Sequence, residues 1–580
     1  MNTDTNRYSN LYLMQRILKL ASPYRYRLLA VLFISLLAAC SALLTPYLTQ
    51  YALDHAILKS DYDLLQRIIT MMIVVLVINA ILSYAFTYHS GWLGQSIISR
   101  LRVHVFKHIL NNNLTYFDHT PVGTSTTRTI NDIESVNQIF SEGVLNILSD
   151  LLTITAIMSF MFYTSWTLSL VALSVLPLLL IAAYIFKEGV RKSFTEVRNQ
   201  VTRINTFIQE HITGNWIVQL FNAESRELDK FKEINEAHKQ ANIRSIFYYS
   251  VFFPVVEIIS SLSLGAMLWY WSGSYVKGQI TLGEFNSFIL CINMLFRPIR
   301  MMADKFNTLQ MGLIAADRVF KIIDNKLYHT TDGSIVFEQL NHSIIIDDVS
   351  FSYTDGQEVL SHVSFSINKG ESLAIVGSTG SGKSTIIALL SRNYDTYKGK
   401  ITFDGIDLRH YQLDSLRKNM TVVLQDVFLF SGSIYDNITL RLPIPREQVV
   451  AAATFCGAHD FIQQRPGAYD FNVMERGQSL SLGQRQLISI VRAVLFNPQL
   501  LILDEATSSI DTNTERLLQR AVDKVIADRT SIIIAHRLST IQKVNRILVL
   551  EKGKIVEYGT HDELLKRNGA YSKLYATQLK

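Results

Sequence analysis

The sequence is short of charge and of cysteine. Only 18% of its 580 residues are charged against 48% hydrophobic, a balance that argues against a disordered chain and against an ordinary soluble enzyme. The 55 Lys and Arg nearly cancel the 49 Asp and Glu, leaving a formal charge of +6. A strong basic field is lacking, so no nucleic-acid partner is expected. Three cysteines, Cys40, Cys291 and Cys456, lie far apart and without metal-ligand spacing, which argues against a disulfide framework.

What is present is apolar sequence, and it is confined to the first half. No charged residue occurs from Leu28 to Leu48 or from Ile68 to Tyr88, and each run approaches the ~20 residues that cross a bilayer as a helix. The uncharged stretch from Leu151 to Phe186 is too long for one span at ~1.5 Å per residue. It is expected to fold back near Tyr163 to Thr167. Further spans are expected from about Ile246 to Trp271 and from about Phe285 to Phe296, giving six. The stretch before Leu28 is short and polar, with no cleavable signal pattern, so the first span serves as the insertion signal.

Lys and Arg concentrate between Tyr88 and Ser149 and between Lys187 and Arg244, which places both long loops and both termini in the cytoplasm. Each loop is read as a hairpin of helices extending the spans, because structureless loops of that length are rare. After Ile323 the composition changes. From Ser343 onward, short β-type runs (Ser343 to Ile346, Ser372 to Val376, Thr421 to Leu424, Leu500 to Leu503, Ser531 to Ile534) alternate with helical segments, the pattern of an α/β domain with a parallel sheet. The resulting organisation is an all-α membrane domain over 1–322, a linker over 323–342 and an α/β domain over 343–580.

The run Gly377, Ser378, Thr379, Gly380, Ser381, Gly382, Lys383, Ser384, Thr385 fits a P-loop between an apolar strand and a helix, which makes 343–580 an α/β P-loop NTPase domain. Its glycines let backbone N–H groups close on phosphate oxygens, Lys383 reaches the terminal phosphates, and Ser384 is a Mg²⁺ ligand. Leu500 to Glu505 is an apolar strand ending in two carboxylates at the sheet edge where ligands of open α/β sheets bind. Strand alternation divides their roles: Asp504 toward Mg²⁺ and Glu505 toward a water attacking the γ-phosphate.

Leu480, Ser481, Leu482, Gly483 and Gln484, shortly before that strand, resemble the signature motif of ATP-binding-cassette (ABC) proteins. In the same order Tyr353 stands where that family has its adenine-stacking aromatic, Gln425 where it has the Q-loop glutamine, also a metal-site residue, Ser508 to Asp511 resemble the D-loop, and His536 the switch histidine. Tyr116 to Asp118 with Pro121 and Gly123, and Glu210 to Gly214 through Phe221 and Glu224, resemble the two cytoplasmic loops of ABC exporter half-transporters of the multidrug and lipid type.

The resemblance implies ATP and Mg²⁺ held between two head-to-tail cassettes, with Ser481, Gly483 and Gln484 serving the nucleotide on the partner chain and Glu505, His536 and Lys383 acting in hydrolysis. An obligate dimer and alternating access follow, with an amphiphilic drug-like or lipid substrate, at the plasma (inner) membrane of a bacterium. A regulator or channel gated by ATP, or an importer, is the alternative on the same fold. The family usually has Gly where this chain has Leu482. That departure either impairs hydrolysis opposite it or is tolerated, and it favours a heterodimer over a homodimer. Glu257, inside the fifth span, marks either a substrate contact or a residue satisfied between helices.

Overall fold

The computed structural model describes residues 8–276, 279–325, 332–354, 356–504, 512–527, 529–535 and 538–578. Two compact units divide the chain: one comprises residues 1–110 and 122–325, the other residues 111–121 and 326–580.

The first unit is all helical. Arg25–Tyr51 and the 49-residue Tyr62–Leu110 contain the first two apolar runs. At ~1.5 Å per residue the second reaches about 70 Å, roughly twice the hydrocarbon thickness, so its C-terminal half extends the span as the sequence suggests. After several short helical elements, the helix Leu145–Thr164 ends at Ser165 in an extended conformation (φ −156°, ψ 109°), which is where the long uncharged stretch turns back. Trp166–Leu173 and Leu176–Thr213 follow, then the 53-residue Glu224–Val276 and the 43-residue Leu282–Asp324. Thr281 opens the last of these with a capping box to Glu284, satisfying two of its N-terminal N–H groups.

Five helical stretches among the described residues are long and apolar enough to cross a membrane by length and composition. The sixth expected span lies in Leu282–Asp324, outside these five. Its charge-free stretch, bounded by Glu284 and Arg297, falls short of the ~20 residues a span needs.

Close approach between these helices depends on missing side chains. A Cβ at Gly189 would meet the Tyr248 ring at 2.4 Å, and one at Gly312 would meet Ile139 at 2.2 Å. Around the first contact a core forms from residues such as Met161, Leu179, Phe186, Phe252 and Phe288, with Phe186 and Phe252 stacked at 3.9 Å between centroids. At the N-terminus, Tyr8 Oη and Arg16 Nη2 donate to the two carboxylate oxygens of Asp324.

The second unit holds two sheets. Its strands are β1 (Ser343–Ser352), β2 (Glu358–Asn368), β3 (Ser372–Val376), β4 (Lys398–Phe403), β5 (Ile406–Asp407), β6 (Met420–Val423), β7 (Leu500–Asp504), β8 (Thr530–Ile534), β9 (Arg546–Glu551) and β10 (Lys554–Gly559). The six-stranded sheet, ordered β10-β9-β3-β8-β7-β6, is parallel except for its β10 edge. Every residue of β3 and β8 is buried, and beyond the polar Ser372, Thr530 and Ser531 both strands are apolar, as in strands covered on both faces. The antiparallel sheet β2-β1-β4-β5 is an addition to the single parallel sheet expected from sequence. Residues 332–342, expected to be linker, reach this unit: Phe337 and Leu340 are buried in its core.

Register positions the site. Ile375 on β3 and Asp504 on β7 both pair with Ile534 of β8, so the C-terminal ends of three neighbouring strands come level. The P-loop leaves from the first of these ends and the Asp504 carboxylate stands at another.

Candidate functional site

The phosphate cradle starts from glycines with no room for side chains. A Cβ at Gly377 would lie 2.2 Å from the Leu550 carbonyl oxygen. Gly382, with φ +106°, sits at the N-cap of the helix Lys383–Leu390, a left-handed conformation that glycine adopts without a Cβ clash. There a Cβ would meet Leu360 at 2.7 Å.

Lys383 is 7% exposed, and its Nζ donates to the carbonyl oxygens of Gly377 and Ser378, both at 2.9 Å. The ammonium is therefore folded onto its own loop. Burial holds its pKa below the ordinary lysine value, and the Asp504 carboxylate offsets part of that shift. Ser384 is exposed, and Thr385 shares a 3.1 Å hydrogen bond with the Tyr353 hydroxyl.

These groups open onto one cavity of about 470 Å³. It is lined by Tyr353 and Val359, by Thr379, Gly380, Gly382, Lys383, Ser384 and Thr385 of the P-loop, and by Gln425, Asp504 and Ile534. A tyrosine ring, a lysine with a helix N-terminus, and three hard oxygen donors from Ser384, Gln425 and Asp504 thus face one space. That donor set suits Mg²⁺, which prefers oxygen ligands, and the glycine cradle with Lys383 suits a polyphosphate. Gly377, Ser378 and Ser381 of the same loop do not line the cavity. Ser381 is buried, with no hydrogen-bond partner for its hydroxyl among the described residues.

Ser481, Gly483 and Gln484 stand elsewhere. Ser481 is the N-cap of the helix Leu482–Phe496: its Oγ accepts from Gln484 N at 3.3 Å while its own N–H donates to Gln484 Oε1. Arg465 Nη2 also donates to that oxygen at 2.8 Å, a contact no motif signalled. Leu482 occupies the first helical turn, half-buried, and Gly483 is buried. None of these residues lines the 470 Å³ cavity.

Glu505, the Ser508 to Asp511 segment and His536 lie outside the described residues. Val359 and Ile534 are cavity residues that sequence reasoning missed, because an apolar strand residue carries no chemical signature. Among the described residues no group of three or more His, Cys, Asp or Glu side chains is arranged to hold a metal.

Two stretches of the chain match family models: residues 28–299 the ABC transporter transmembrane region, and residues 360–508 the ABC transporter family. An uncharacterized ABC transporter ATP-binding protein of Bacillus subtilis (strain 168) is 36% identical over 97% of this chain and 94% of its own length. An ATP-dependent lipid A-core flippase of Syntrophus aciditrophicus (strain SB) is 34% identical over 98% of this chain and 95% of its own. In fold, the chain resembles the structure of a bacterial Atm1-family ABC exporter with ATP bound, with a TM-score of 0.82 and 27% identity, covering 96% of this chain and 98% of that one.

Proposed function

This chain belongs to the ABC transporter family as a membrane half-transporter whose ATP hydrolysis drives export, and from that premise we propose how its residues divide the work. Residues 1–322 are the membrane domain with six spans, 323–342 the linker and 343–580 the cassette. The observation that carries the mechanism is the separation just described. Tyr353, the P-loop, Gln425 and Asp504 share one cavity, while Ser481 to Gln484 do not.

In this reading Tyr353 stacks on the adenine, and Lys383 exchanges its two carbonyl partners for phosphate oxygens. Ser384, Gln425 and Asp504 hold Mg²⁺, which when bound neutralises phosphate charge. Glu505 takes up the proton of the attacking water, with His536 orienting that water. Ser481 serves the nucleotide of the partner chain: its oxygen is occupied by the Gln484 N–H, but its hydroxyl proton remains available to a phosphate oxygen.

A site built from two chains makes a dimer obligatory. Leu482 then bears on the choice of partner, since leucine adds bulk where the backbone must approach ATP. A heterodimer fits this chain: its intact Lys383, Ser384, Asp504 and Glu505 face a glycine-containing signature on a partner that lacks the Glu505 equivalent. The substrate is an amphiphile, drug-like or lipid, a reading supported by the lipid A-core flippase relative. The protein resides in the inner membrane of a bacterium with its cassette in the cytoplasm, as the Lys and Arg distribution indicates.

The test is reconstitution of the chain alone and with a co-encoded half-transporter, measuring ATP-dependent movement of labelled lipids and amphiphilic drugs. Transport by the pair with stimulated ATPase is expected. Brisk substrate-stimulated ATPase from the chain alone would reject the heterodimer. For orientation, a cysteine at Val276, 86% exposed, should react with an impermeant thiol reagent from outside the cell, and one at Thr213 should not.

A further inference from the structure

Tyr394 follows the P-loop helix Lys383–Leu390 by a few residues and is 6% exposed. Its hydroxyl donates to Asp118 Oδ2 at 2.6 Å. Asp118 comes from the segment 111–121, which belongs to the same compact unit as the cassette although the chain reaches it directly from the helix Tyr62–Leu110. Within that segment the helix Leu114–His119 buries Tyr116. The Tyr394 ring in turn meets Tyr353 edge-on, with centroids 5.3 Å apart and planes at 84°. Phe351 approaches Tyr353 in the same manner at 4.9 Å and 85°, and the Tyr353 hydroxyl ends on Thr385 of the P-loop.

Tyr353 is therefore held by two aromatic edges and one hydrogen bond, and one of those edges is itself fixed by a bond to the 111–121 segment. The loop carrying Tyr394 has little freedom to compensate, because the fully buried Arg392 bonds both the Tyr411 carbonyl and Asp395. Burial and the Asp118 carboxylate keep the Tyr394 phenol well above its ordinary pKa, so it stays a donor. The bond to Asp118 tethers the ring in this position, so where it is lost, through a shift of the 111–121 segment or removal of the hydroxyl, the ring is no longer held with its edge against Tyr353.

We propose that Tyr394 is a positioning residue through which the seating of the 111–121 segment on the cassette sets Tyr353, and with it the affinity for the base half of ATP. The proposal rests on the reading of Tyr353 as the surface on which the base stacks. It assigns to one hydroxyl a specific consequence: nucleotide base recognition and loop docking report on each other, while the phosphate cradle is left alone.

The experiment uses the full-length chain in lipid nanodiscs, titrated separately with ATP and with inorganic triphosphate, which lacks the base. Tyr394→Phe should weaken ATP about 3- to 10-fold, the range of a lost aromatic edge contact, and leave triphosphate affinity unchanged. Asp118→Ala should reproduce that result, and Asp118→Asn, whose amide oxygen still accepts, should restore wild-type binding. On a Tyr353→Ala background, Tyr394→Phe should add nothing.

Equal weakening of ATP and triphosphate would overturn the proposal by showing a general distortion of the cradle, and so would an Asp118→Asn as impaired as Asp118→Ala. If Tyr353→Ala weakens ATP while Tyr394→Phe does not, only the link fails and the stacking reading stands. If Tyr353→Ala leaves ATP affinity unchanged, the stacking reading fails and the link falls with it.

Discussion

The P-loop and the signature segment are the two most recognisable stretches of the cassette, and they are built in opposite ways. The P-loop converges: its lysine, hydroxyls and glycines join Tyr353, Gln425 and Asp504 around one cavity of about 470 Å³. The signature segment closes on itself, with Ser481 and Gln484 bonded to each other and Arg465 bonded to Gln484. A motif that, among the described residues, stands apart from this cavity yet presents a capped helix N-terminus accords with the proposal that it serves a nucleotide held by the partner chain.

The sharpest way to test that contrast is to disable the converging half. Glu505→Gln is expected to lower turnover by ~10² to 10⁴, the usual range for a general base, while ATP binding persists. Single-turnover hydrolysis with a parallel binding titration checks both parts, and near-normal turnover would remove Glu505 from the role. Lys383→Ala should weaken ATP binding by the isolated chain about 10- to 100-fold, the loss of charge-assisted hydrogen bonds. Equilibrium titration reads this directly.

Changes in the signature half should be smaller and depend on the partner. Leu482→Gly is expected to raise homodimer ATPase severalfold and to change the heterodimer little, which a side-by-side assay of both assemblies decides. Ser481→Ala should leave ATP affinity of the isolated chain unchanged and lower helix stability by about 1 kcal/mol through loss of the cap. Thermal unfolding and a titration on the same sample separate the two effects. A large loss of ATP affinity in Ser481→Ala would erase the contrast between the halves.

Much of this was legible in the sequence because it is local. The strands β3, β7 and β8 each carry a short apolar run, and the order of Gly377 to Thr385 is a geometric prescription for a strand, a turn and a helix. The break at Ser165 was legible too, since an uncharged stretch of that length cannot cross once. What remained hidden depends on distant partners. Tyr394 and Asp118 are separated by 276 positions, and nothing in either neighbourhood names the other. The antiparallel sheet was hidden for a similar reason: β1 pairs with both β2 and β4, and pairing is not encoded in any one strand. The count of spans was the weakest reading, because Glu284 and Arg297 bracket an apolar stretch too short to announce itself.

The Lys383 ammonium, bonded to two carbonyls of its own loop, makes nucleotide entry an exchange and not a simple addition. An anion that reaches only this lysine must replace two good acceptors with what it can offer, and a single phosphate gains little by the trade. A triphosphate can recover the loss by engaging the backbone donors and the neighbouring hydroxyls at the same time.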